Sequence, residues 1–266
     1  MNVLVIGDVS GNSGKKALIN YLKLVKNKYF IDFVVVNAEN ITLGKSINKN
    51  DYLFLKDLGI NVITMGNHIY SRKDAFWLLE NMKSLIRPIN FYHNAPGCGS
   101  ICLKIKNKKI RVTSILGTTF MPFNCQNPYI EFDKLLLQIK KEKEDIHIVD
   151  FHAETTSEKC AFAWNYDGKV TAVLGTHTHV QTADERILPK GTAFLTDIGM
   201  TGSYHSIIGV EPKEVIEKFK YGYAERFVMS NGDPQFCGVV LKIDNNTNLV
   251  TNIERILITP DRKFLF

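Results

Sequence analysis

Five short apolar runs each end on a residue able to bind a metal ion, and this repetition limits the folds open to the chain. Residues 3–6 run into Gly7-Asp8, residues 33–36 into Asn37-Ala38-Glu39-Asn40, and residues 62–65 into Gly66-Asn67-His68. Farther on, residues 146–151 stop at His152, and residues 170–174 lead through Gly175-Thr176 to His177-Thr178-His179. Such short β-branched runs read as buried strands. Between the first three lie helical stretches. Residues 15–26 carry Leu18, Ile19, Leu22 and Val25 on one face, and residues 52–58 stop at Gly59. Strand–helix alternation of this kind predicts a parallel sheet covered by helices. Loops converge beyond the C-terminal edge of such a sheet, and sites assemble there.

Beyond Pro88 the pattern changes. Residues 101–105 and 110–115 alternate around Lys106-Asn107-Lys108-Lys109 like a β-hairpin, and a helix is expected over 133–143. Residues 192–195 form another strand ending near Asp197, and alternation returns at 237–243 and 250–258. No repeat, low-complexity tract or linker divides the sequence. The expectation is one α/β domain over 1–266, with two mixed sheets packed together and flanked by helices. With 45% hydrophobic and 23% charged residues, the 266-residue chain can bury a substantial core.

Composition also excludes several function classes. No apolar run approaches the roughly 20 residues of a spanning helix, so no membrane partner is expected. The N-terminus lacks the features of a signal peptide, which gives a cytoplasmic location as the default. Five scattered cysteines argue against a disulfide framework, and Cys98 and Cys102 lack the further ligands of a zinc knuckle. The net charge of +6 comes from dispersed lysines, without the basic stripe of a nucleic-acid binder. A P-loop is excluded as well. Val9 stands where its first glycine belongs, and Lys16 where Ser or Thr should follow the lysine.

The strand-end residues together offer three imidazoles (His152, His177, His179), two carboxylates (Asp8, Glu39) and two amides (Asn40, Asn67). Each has a bland reading on its own: Asn67 could cap the next helix through an Asx turn, and a strand-end histidine such as His152 is commonly structural. As a set they suit iron, manganese, zinc or similar ions better than calcium. They also exceed what one tetrahedral ion needs. Two ions roughly 3.5–4 Å apart can clamp the attacking and leaving oxygens of a displacement at phosphorus, with one carboxylate bridging and one hydroxide between.

In this order, Gly7-Asp8, NAEN at 37–40, GNH at 66–68, DFHAE at 150–154 and GTHTH at 175–179 resemble the calcineurin-like metallophosphoesterases. More narrowly, the chain resembles their YmdB-like branch of bacterial 2′,3′-cyclic-nucleotide phosphodiesterases, from Met1 to about Ile258. The resemblance implies a two-metal phosphodiesterase acting by in-line attack of a metal-bridging hydroxide. One metal would be held by Asp8, Glu39, Asn40 and His179, the other by Glu39, Asn67, His152 and His177. His68 would be the general acid. It also implies iron as the favoured metal, with manganese or magnesium as alternatives, and a small cyclic nucleotide as substrate. RNA ends as substrates and self-association remain open.

Two departures from the wider superfamily stand out. Ser10 replaces the histidine that often follows the first aspartate by two residues, with Asn40 as the implied substitute. Ile69 stands where a carboxylate usually orients the histidine of GNH. A competing reading keeps the fold and the metal but makes the chain a regulatory or interaction protein with little catalysis; the retained His68 speaks against it. Among other residues, Glu154, Thr155 and Thr156 follow His152 closely, and a hydrogen bond from this stretch to an imidazole is expected. His147 is expected to face solvent and His93 to lie on the surface or behind the ligands. His205 is a candidate substrate contact. Arg87 and Arg186 would bind phosphate or form ordinary salt bridges.

Overall fold

The computed structural model describes residues 1–92, 94–122, 124–223 and 226–262, so His93 lies outside the described residues. Two sheets form its centre. In the first, β1 (Asn2–Ile6), β2 (Phe33–Asn37), β3 (Val62–Thr64) and β4 (Leu85–Ile86) run parallel in that spatial order. The second contains β5 (Ser100–Ile105), β6 (Lys108–Leu116), β7 (Ile146–His152) and β8 (Ala172–Thr176). In this sheet β5 and β6 form the antiparallel hairpin, and β6, β7 and β8 are parallel. Short β9 (Arg186–Ile187) pairs antiparallel at the edge with β10 (Ala193–Leu195), which lies parallel to β8. The first sheet is completed from the end of the chain. β11 (Gly202–Ser203) and β13 (Val250–Ile258) both pair with β12 (Pro234–Ile243), which lies antiparallel to β1.

Strand periodicity explains why the runs are apolar throughout. Val3, Val5, Phe33 and Val35 point between the sheets onto Ile146, Ile148, Ala172 and Leu174 of the other layer. Their neighbours Leu4, Ile6, Val34 and Val36 pack instead under the helices α1 (Gly11–Lys28), α2 (Lys49–Asp57) and α3 (Lys73–Asn81). On the far side, Val149, Phe151 and Phe194 pack under α4 (Pro128–Ile139) and α5 (Thr156–Asn165), with Phe132 and Phe162 buried among them. Both faces of each central strand are covered, so alternation gives way to continuous Val, Ile and Leu. A last helix, α6 (Pro212–Tyr221), ends at Gly222 in the left-handed conformation. No helix among the described residues is long and apolar enough to cross a membrane.

Several expectations need correction. Helix α1 begins at Gly11, four residues early, and Ile19 is 61% exposed while Leu18, Leu22 and Val25 are buried. The hairpin turn is tighter than the lysine run suggested, because Lys108 and Lys109 already belong to β6. Helix α4 starts at Pro128, not 133, because the Asn127 side chain accepts from the amides of Tyr129 and Ile130 and proline suits the first turn. His147 is buried, not solvent-facing: its Nε2 lies 2.8 Å from Thr113 Oγ1 beneath Phe132. Arg87 forms no salt bridge among the described residues. It is buried, and its guanidinium donates to the carbonyls of Pro88, Ala95 and Pro96. Arg186 pairs with Asp184 at 3.4 Å, and all five cysteines are free thiols.

Candidate metal centre

Every strand-end residue singled out in the sequence lies at one edge of the two sheets. Asp8 follows β1, Glu39 and Asn40 follow β2, and Asn67 follows β3; His152 ends β7 and His177 follows β8. The parallel registers of β1 with β2, β2 with β3, and β7 with β8 point all these ends the same way.

The tightest group gathers around the His152 Nε2 atom. Glu39 Oε1 lies 3.1 Å from it, Asn67 Oδ1 3.0 Å and His177 Nδ1 3.0 Å. One nitrogen cannot satisfy three such neighbours at once. Glu39, His152 and His177 each direct one donor atom to within 4.8 Å of the others, the spacing of groups able to share a cation. A second group joins His179 Nε2 to Asn40 Oδ1 at 3.2 Å. Asp8 stands between, accepting from the His177 amide at 3.1 Å through Oδ2. Its Oδ1 is buried and has no hydrogen-bond partner among the described residues.

Three observations test whether this set fits a cation. The donors are imidazole, carboxylate and amide oxygen, suited to first-row ions. The orphaned Asp8 Oδ1 is an acceptor already stripped of water, which burial without a partner makes costly. Gly66 closes the third side, where a Cβ would fall 2.2 Å from Glu39 Oε2 and 2.4 Å from His152 Nε2. The residues fit.

Electrostatics point the same way. Burial drives the Asp8 carboxyl up to about 6, with His179 and His152 pulling against it. Burial disfavours charge on His152 too, yet Glu39 and Asp8 hold its imidazolium well above the ordinary histidine range. Glu39 resists its own burial through that neighbouring charge and sits below the usual carboxylate range. His177, half-buried beside His152, is pushed far below its ordinary value by desolvation, with the His152 charge adding to it. Two buried carboxylates beside these imidazoles make a dry place that favours positive charge.

The loop carrying His177 and His179 is strained, with φ of 98° and 65°. It is held from below. Asp197 Oδ2 accepts from the Thr178 amide at 3.1 Å and its hydroxyl at 2.8 Å, and the buried Lys159 pairs with the same oxygen at 2.7 Å. Glu154 meets His177 Nε2 at 3.1 Å, as expected, leaving Nδ1 for the cluster.

Sequence reasoning missed the support beneath His152. Asp150 is buried and accepts from Thr176 Oγ1 at 2.6 Å, from Asn37 Nδ2 at 2.9 Å and from the Thr64 hydroxyl. Since Thr176 donates to Asp150, it accepts from His152 Nδ1 at 2.8 Å, which turns Nε2 toward the cluster. Asn37 also takes the Glu39 amide on its Oδ1 at 3.1 Å. A signal was present: Asn37, Thr64, Asp150 and Thr176 are polar residues within largely apolar, buried strands, and each therefore needed a partner.

His68 borders the cluster, its backbone amide 3.4 Å from Glu39 Oε2. Burial lowers its imidazole, Glu39 opposing. His205 is exposed and packs edge-on against Tyr204.

Two mixed sheets packed face to face, with a histidine, carboxylate and asparagine cluster at the strand ends, define the metallophosphoesterase class. The family model described as YmdB-like protein matches residues 4–256, and the chain belongs to that family. It is 42% identical over 264 residues to a 2′,3′-cyclic-nucleotide 2′-phosphodiesterase from Bacillus subtilis, covering 99% of each. A crystal structure of a phosphatase from Mycoplasma pneumoniae superposes with a TM-score of 0.92 at 44% identity, covering 97% of this chain and 93% of that one. A 5′-nucleotidase from Candida albicans shares the fold alone, with a TM-score of 0.58 at 12% identity, over 97% of this chain and 51% of that one.

Proposed function

We propose that this chain is a metal-dependent phosphodiesterase that hydrolyses 2′,3′-cyclic nucleotides. The observation carrying the reading is the convergence of Glu39, Asn67 and His177 on His152 Nε2. The 42% identity to the Bacillus phosphodiesterase supports the substrate class. Asp8, Glu39, Asn40 and His179 would hold one cation, and Glu39, Asn67, His152 and His177 a second, with Glu39 shared; iron is the favoured ion, manganese or magnesium the alternatives. When bound, the cations would supply Lewis acidity to the phosphoryl oxygens and lower the pKa of a water toward about 7.

The protein's own groups do the rest. Asp150 and Thr176 fix the His152 ring, and the Asp197–Lys159 pair fixes the loop of His177 and His179. Water adds at phosphorus and gives up one proton to solvent, one ring P–O bond breaks, and protonated His68 gives its proton to the departing ribose oxygen and then regains one from solvent. Its lowered pKa makes it a stronger acid carried in smaller fraction at neutral pH, the balance on which general-acid catalysis depends.

The test is turnover of 2′,3′-cyclic nucleotides by anaerobically prepared, metal-loaded protein and its His68→Ala variant. The variant should keep its metal and lose roughly 10²–10⁴-fold in kcat. Undiminished turnover would remove His68 from its role. No hydrolysis of any phosphodiester by the metal-loaded wild type would overturn the proposal.

A further inference from the structure

Beside the candidate metal centre lies an apolar cavity of about 430 Å³, within the range of small-molecule sites. Ile207, Val210, Val215, Phe219, Phe227 and Met229 supply most of its wall. Met229 packs close to Gly11 and Gly44, both at positive φ; a Cβ on Gly44 would fall 2.4 Å from its sulfur. Phe219 and Phe227 are 86% and 50% exposed, so both rings are open to a molecule entering the cavity they line.

Asn40 and His179 line this cavity as well as the cluster. Each has one end in both places. His179 turns Nε2 to the cluster and donates from Nδ1 to the Ile208 carbonyl at 2.9 Å. Asn40 turns Oδ1 to the cluster and donates from Nδ2 to the Gly44 carbonyl at 2.9 Å. The cavity wall and the cluster are therefore tied by two hydrogen bonds and cannot shift independently. A molecule filling both needs an anionic end for the metal side and a mainly apolar end for the cavity, where Ser10 and Lys218 join Asn40 and His179 as the polar lining side chains.

We infer that this cavity seats the nucleobase of the substrate, with Phe219 and Phe227 as its stacking walls; the inference rests on the phosphodiesterase reading above. The lining is dominated by carbon, so it recognises a base by area and π-face rather than by its hydrogen-bonding edge. All four bases should be accepted, with purines favoured over pyrimidines because they bury more surface.

The test compares 2′,3′-cyclic AMP with ribose 2′,3′-cyclic phosphate, which lacks the base, in wild type and in the Phe219→Ala/Phe227→Ala double variant. Both side chains are exposed, so the fold should tolerate their loss. Base stacking of about 1–3 kcal/mol predicts that the ratio of kcat/KM, nucleotide over abasic probe, falls roughly 5- to 150-fold, mainly through the KM for the nucleotide. An unchanged ratio overturns the inference while leaving the phosphodiesterase reading intact. If the metal-loaded wild type turns over neither compound, that reading fails, and adenosine binding measured by equilibrium dialysis decides the cavity separately. Binding weakened at least about fivefold in the double variant sustains it; no binding, or equal binding, overturns it.

Discussion

At the scale of single residues, the buried polar groups matter most where they have no solvent to fall back on. Asp150 accepts three hydrogen bonds in the interior, and through Thr176 it orients His152. In Asp150→Asn an amide NH₂ must face a hydroxyl or amide donor. The expected outcome is about 2–3 kcal/mol lower stability in urea unfolding and metal affinity weaker by roughly 10–100-fold in chelator competition. Wild-type values in both would remove Asp150 from this role. His147 carries a different prediction. Burial holds its imidazole down to about 3, with the Arg111 guanidinium adding to the effect, so the folded protein keeps it neutral while the unfolded chain protonates it near 6.5. The unfolded state then binds more protons, so this contribution is complete above pH 6.5 and is lost as the pH falls toward 3. It amounts to something on the order of 4 kcal/mol across that window. Because other groups titrate there too, the measurement is a difference: Tm against pH in wild type minus Tm in His147→Gln should shrink as the pH drops. A constant difference would contradict the assignment.

At the scale of elements, strand ends were legible and their supports were not. Asp8, Glu39, Asn67, His152 and His177 could be placed because a buried strand must stop somewhere, and a polar residue at the stop announces an edge. The link from Asn37 to Asp150 spans 113 residues and joins two sheets, so no local pattern contains it. The hairpin and the central strands were also readable, whereas β4, β9 and β11 have two residues each and exist only through their partners. Helices α3, α5 and α6 were missed; they are nine or ten residues long and bury only one to three side chains each. The loop after β3 offers the sharpest test at this scale. Gly66→Ala would bring a methyl group within 2.4 Å of His152 Nε2 and closer still to Glu39. Metal content by elemental analysis should fall at least about tenfold, in line with disrupted ligand placement, while far-UV circular dichroism stays native. Full metal content in a folded variant would contradict the crowding described here.

At the scale of the whole molecule, the candidate ligands come from both sheets, so a cation bound there would fasten one layer to the other. Metal that binds only this arrangement stabilises all of it: at 100 times its Kd the gain is about 2.7 kcal/mol. For a chain of this size that corresponds to a Tm rise of roughly 5–10 °C between chelator-treated and reloaded protein. A shift within error would show that the two layers do not depend on the metal. The pairing of β1 with β12 has another consequence, for biosynthesis. Residues 2–6 leave the ribosome long before the partner of their outer edge, which lies at 238–242. At about 5–20 residues per second, that edge waits roughly 10–50 seconds for its neighbour. During that interval Val3, Leu4, Val5 and Ile6 present an unpaired apolar border of the kind that recruits foreign strands. The vulnerable moment in the life of this protein is therefore its translation, and a pause shortly before codon 234 would prolong it.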